Sequence, residues 1–135
     1  MTSDVVPGCV LLGHAQQRLS EGLRGMLGAS FEQAFIVTDR VSLLEGATRL
    51  QPMLVVADLA LADGNPGALI AELRSRAPGV RTLLLCDHDD PLVDAAALAA
   101  GADGVLGNAS LADELYAAID TLLAGGRYTS TGGPH

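Results

Sequence analysis

Short apolar runs alternate along the chain with longer stretches in which apolar residues recur every three or four positions. The short runs are CVLLG (9–13), FIV (35–37), MLVVA (53–57), RTLLLC (81–86) and DGVLG (103–107). Most are too short for helices and read as buried strands. Between them lie one-sided apolar stripes: Leu19, Leu23, Met26 and Leu27 in 16–27; Leu43, Leu44, Ala47 and Leu50 in 41–50; Leu69, Ile70 and Leu73 in 66–76. Two more follow, with Leu92, Val93, Ala96 and Ala100 in 91–100, and Leu115, Ala118, Ile119 and Leu122 in 111–123. Each has the spacing of an amphipathic helix.

Punctuation residues agree with this division. Pro66 and Pro91 suit first-turn positions, Asp39 and Asp90 suit caps, and Gly28, Gly101 and Gly125 suit helix ends. Ser110 with Asp113 three residues on reads as an acidic capping box. The order is β-α repeated five times. Strands that are apolar throughout, joined by helices, imply a parallel sheet covered on both faces, and right-handed crossovers make it doubly wound. Binding sites in such sheets lie beyond the carboxyl ends of the strands. Asp58 ends the third run at that rim, where a carboxylate is expected to meet water.

Composition narrows the possibilities. Apolar residues form 49% of the 135, a globular value, and no run reaches the length of a membrane span. The N-terminal MTSDVVPG has no basic lead into an apolar stretch, so a cytoplasmic place is expected. Sixteen acidic residues oppose eight basic ones, a net charge of −8 that repels phosphate backbones, so direct nucleic-acid binding is not expected. Four aromatic residues offer no base-stacking platform and require an aliphatic core. Cys9 and Cys86 lack any zinc or redox spacing and read as reduced thiols. No P-loop, dinucleotide fingerprint or nucleophile elbow occurs. The final GGRYTSTGGPH reads as a tail or linker.

PMLVVADLALADG (52–64), LLLCDHDDP (83–91), AAGADGVL (99–106) and DELYAAIDTLLAGGRY (113–128) together resemble the receiver domain of two-component response regulators, within the NarL/LuxR-like group. The resemblance implies a flavodoxin-like (βα)5 fold over residues 1–128, with 129–135 as a flexible tail or the start of an interdomain linker. It also implies a phosphoacceptor aspartate at Asp58. An acidic pair that would hold magnesium falls on His14 and Ala15, a hydroxyl position on Cys86, and a lysine position on Asn108. None of these four keeps the family's residue type, and Asp63 and Asp87 are the carboxylates that would have to substitute.

Phosphoryl transfer depends on metal and lysine to neutralise charge spreading over three oxygens, so the resemblance implies a degenerate, non-enzymatic receiver without magnesium or other cofactor. The expected role is regulation independent of phosphorylation, through a homodimer and an attached or associated DNA-binding domain or partner protein. One alternative is a conventional phosphoacceptor charged by a histidine kinase. Another is a sensor binding a small-molecule effector, or a transition metal held by His14, Asp58 and Cys86 with Asp87 or His88. Two surfaces are candidates for self-association. One is the first helix with the last (Leu19, Leu23, Leu115, Ile119, Leu122), and the other is the Ala-rich fourth helix with the fifth strand.

Overall fold

The computed structural model describes residues 6–14, 17–86, 91–107 and 111–129. The elements run β1 (Val6–Gly13), α1 (Gln17–Ser30), β2 (Phe31–Val37), α2 (Arg40–Leu50), β3 (Leu54–Asp58), a single 3-10 turn (Leu59–Ala62), α3 (Pro66–Arg76), β4 (Arg81–Cys86), α4 (Pro91–Ala99), β5 (Gly104–Gly107), α5 (Leu111–Leu123) and β6 (Tyr128–Thr129). All described pairings are parallel, in the order β2-β1-β3-β4-β5-β6. The sheet therefore has six strands where five are expected from the sequence. Strand order reverses direction at β1, which places the switch point between β1 and β3.

Alternation along the central strands fills two apolar layers. Leu11, Val55, Leu84 and Val105 pack with Leu43 and Ala47 of α2, Leu69, Ile70 and Leu73 of α3, and Ala97 of α4. Val10, Leu12, Leu54, Val56, Leu83, Leu85 and Leu106 pack with Leu23 and Leu27 of α1 and with Leu115, Ala118, Ile119 and Leu122 of α5. The expected stripes of α2, α3 and α5 thus face the core. Among the described side chains of α4, Ala97 is buried and Ala96 is exposed, while Leu92 and Val93 lie outside the described side chains.

This arrangement corrects one expectation about self-association. Leu23, Leu115, Ile119 and Leu122 are each at most 2% exposed within the domain's own core, so they are not surplus surface. On α4, by contrast, Ala95, Ala96 and Ala99 remain exposed.

Local chemistry sets the element boundaries. Asp39 caps α2, its Oδ1 accepting from the Ser42 amide at 2.7 Å, and this bond holds its carboxyl below the usual range. Asn65, which the sequence reading did not single out, caps α3 ahead of Pro66 by accepting from the Ala68 amide at 3.0 Å. Gly28 does not end α1, which continues to Ser30, and β2 begins at Phe31, four residues before the FIV run. The missed part of β2 carries exposed Glu32 and Gln33 at the sheet edge, where one-sided burial hides the apolar signal. In β1 the register shifts between Val6 and Cys9 at Gly8, whose φ of +120° suits glycine. A Cβ there would meet Met53 Sδ at 2.6 Å, so the bulge also seats the approach to β3.

Cys9 and Cys86 are both buried thiols, and burial pushes the Cys9 thiol up. Among the described residues no helix is long and apolar enough to cross a membrane. Asp90 and Ser110 lie outside the described residues.

Candidate functional site

Asp58 is the last residue of β3, after four buried apolar residues, and it is only 5% exposed. The expectation that the rim admits water to this carboxylate is therefore wrong. The group is accommodated by partners instead. Its Oδ1 accepts from the Ala60 amide at 3.1 Å, capping the 3-10 turn that follows the strand. Its Oδ2 lies 3.5 Å from Nε2 of His14, whose side chain is fully buried. A carboxylate this buried needs such partners, because an uncompensated one is costly.

Sheet topology brings the pair together. β1 and β3 are neighbours, with Gly13 in register with Ala57, so the residues that follow them, His14 and Asp58, emerge side by side. On its other side β1 pairs with β2, and the His14 amide donates to the Val37 carbonyl at 3.0 Å. That bond fixes the backbone from which the imidazole projects. The fit is close, since a Cβ on Gly13 would lie 2.9 Å from Leu43 Cδ1 and 3.0 Å from Leu61 Cδ1.

The remaining expected site residues are less concentrated. Cys86 ends β4 and packs in the apolar cluster of Ala57, Leu61, Ala62 and Leu84. Asp63 closes the 3-10 turn in a left-handed conformation, its carboxylate 78% exposed and 4.0 Å from Arg40 Nη1. Ala15, Asp87, His88 and Asn108 lie outside the described residues.

Magnesium calls for hard oxygen donors, usually including one or two carboxylates. What the described residues offer beside Asp58 is an imidazole, and among them no three or more His, Cys, Asp or Glu side chains are grouped to hold a metal ion. These donors do not fit a magnesium ion. They also do not assemble the His14–Asp58–Cys86 metal site considered from the sequence. Chemically, the pair holds a buried carboxylate, one oxygen capping a turn and the other 3.5 Å from an imidazole, at the point where two strands open towards the rim.

A second buried carboxylate, at the head of the DGVLG run, lies at the opposite end of the sheet. Asp103 precedes β5, and its Oδ2 accepts from the Thr82 amide at 2.9 Å and from Thr82 Oγ1 at 3.3 Å. Arg74 and Arg81 lie 3.5 and 3.6 Å from its oxygens, and the Arg74 guanidinium also donates to the Gly101 carbonyl. The sequence signal was present: Thr82 is the polar residue inside RTLLLC, and register places it beside Asp103. These bonds tie the starts of β4 and β5 to α3.

No protein-family model matches the chain, and no curated protein matches it in sequence. Solved structures do. A LuxR-family two-component response regulator from Aurantimonas sp. SI85-9A1 superposes with a TM-score of 0.83 at 23% identity, over 94% of this chain and 92% of that one. The isolated receiver domain of RcsB from Salmonella enterica serovar Typhimurium gives 0.76 at 20% identity, over 90% and 92%. RcsB in a structure of two dimers bound to two parallel DNAs gives 0.77 at 19% identity, over 92% of this chain and 64% of that one. The fold of this chain is the receiver fold of LuxR-family response regulators.

Proposed function

We propose that the chain is an atypical receiver, a cytoplasmic regulatory module whose state is set by protein contacts or a small-molecule effector and not by phosphorylation. The observation that carries this reading is the engagement of Asp58. In the family that the sequence resembles, this position presents a carboxylate to an incoming phosphoryl group. Here one carboxylate oxygen caps a turn, the other faces the buried imidazole of His14, and the group is 5% exposed. His14 thus stands where the resemblance implies a metal-binding carboxylate, and supplies a partner from within the chain.

The output we assign is transcriptional control through an attached or associated DNA-binding domain. The RcsB structure of two dimers on two DNAs, whose chain has this fold, supports that assignment. With Leu23, Leu115, Ile119 and Leu122 spent on the core, the proposed homodimer uses the exposed alanines of α4. A flat Ala face contributes little apolar area per residue, which makes this a weak association. Sedimentation across a concentration series is expected to show a dimer growing in at high micromolar concentration, weakened by Ala96→Glu. A single monomer mass throughout would remove self-association from the account.

Magnesium separates this reading from a conventional phosphoacceptor. Titration to millimolar magnesium, followed by backbone amide shifts, is expected to leave Gly13, His14 and Asp58 unmoved. Saturable shifts at those three amides would mean that Asp63 or Asp87 supplies the missing ligands.

A further inference from the structure

The sixth strand is the feature that neither the five-stranded expectation nor the Asp58 site accounts for. After α5 the chain turns back, with the Gly125 amide donating to the Leu122 carbonyl and the Gly126 amide to the Thr121 carbonyl. Tyr128 and Thr129 then lie parallel to β5, in register with Gly104 and Val105, and the Tyr128 amide donates to the Asp103 carbonyl at 3.1 Å. Without these two residues β5 would be an open sheet edge, a surface that proteins usually cover.

Three contacts seat the strand. The Tyr128 hydroxyl donates to Glu114 Oε1 on α5. The Tyr128 ring packs against the cluster that contains Leu83, Leu115 and Leu122. Gly104 leaves the space required: a Cβ there would stand 3.1 Å from the Tyr128 carbonyl oxygen, 3.0 Å from Leu83 Cδ1 and 3.3 Å from Leu122 Cδ2. All three attachments are confined to two residues, and Tyr128 and Thr129 are half-buried while β5 is buried throughout. Segments with few buried contacts open at low cost, ahead of global unfolding.

We propose that Tyr128–Thr129 is a latch. It closes the β5 edge while Tyr128 is bonded to Glu114, and it opens independently of the rest of the domain. Opening moves the exit of the chain from the β5 edge to the end of α5 and bares the β5 edge. The latch does not involve Asp58, so its test stands apart from that of the pocket.

Its pH response has a definite sign. Burial first, then the hydrogen bond to Glu114 and that group's charge, push the Tyr128 hydroxyl up to about 12. The ordinary tyrosine value, and that of an opened Tyr128, is about 10. The closed form therefore favours the neutral phenol. Its advantage is complete below about pH 10 and is lost as pH rises through about 12.

The experiment is amide hydrogen exchange on the whole chain, read residue by residue. In the parent, the Tyr128 amide is expected to exchange at least about 100-fold faster than that of Leu84, because it is released by local opening. Glu114→Ala and Tyr128→Phe are each expected to speed Tyr128 exchange by about 5-fold, as loss of one hydrogen bond implies, and to leave Leu84 unchanged. Glu114→Gln keeps an accepting oxygen and is expected to stay within about twofold of the parent. Equal protection of Tyr128 and Leu84, or a Tyr128 rate indifferent to both disruptive variants, overturns the latch.

Discussion

Replacing His14 with alanine is expected to destabilise the domain by about 3 kcal/mol, the cost of stripping one partner from a buried polar pair. Two losses combine in this change. The imidazole side chain is fully buried, so its removal leaves a cavity between strand ends that are already tightly packed around Gly13. Asp58 is 5% exposed and keeps the Ala60 amide, but loses the only side-chain partner described for its Oδ2. Urea denaturation of His14→Ala, Asp58→Ala and the double variant gives the coupling directly. The double variant is expected to cost at least about 1 kcal/mol less than the two single changes together, because the unpaired carboxylate is then gone. Additive effects, or a His14→Ala cost under about 1 kcal/mol, would show that the pair is incidental to the fold.

The fold was largely legible because a parallel sheet buried on both faces leaves strong signals. LVVA and LLLC are apolar without alternation, and Leu69–Ile70–Leu73 and Leu115–Ala118–Ile119–Leu122 each mark one helix face. The unread parts are those where one-sided burial or backbone bonding decides. β2 begins at Phe31 although Glu32 and Gln33 look like loop residues, because an edge strand buries only part of its surface. Tyr128 and Thr129 sit in a Gly-, Ser- and Thr-rich segment and are held mainly by backbone pairing and one phenol, neither of which has a periodic signature.

The site was legible in a different sense. Resemblance placed Asp58 and His14 near one another, and the structure puts them 3.5 Å apart. The sequence could not tell that the carboxylate is enclosed, because a strand's last residue meets water or protein according to what packs over the rim. Asp103 was missed for the converse reason. Its sequence neighbours, Ala102 and Gly104, suggest a turn, and only register with β4 reveals that Thr82 is its partner.

The central proposal is that Asp58 does not accept a phosphoryl group. Loss of a single preorganised group that stabilises transition-state charge costs about 10²–10³-fold in rate, and the resemblance implies that a metal site and a lysine are both gone. Enclosure of Asp58 adds to this, since one carboxylate oxygen is committed to the Ala60 amide and the other faces His14. The most direct measurement is the intact mass of the chain after incubation with a small-molecule phosphodonor and millimolar magnesium, beside Asp58→Asn treated identically. The account predicts that both masses stay unchanged. A gain of one phosphoryl group by the parent that is absent from Asp58→Asn would contradict it.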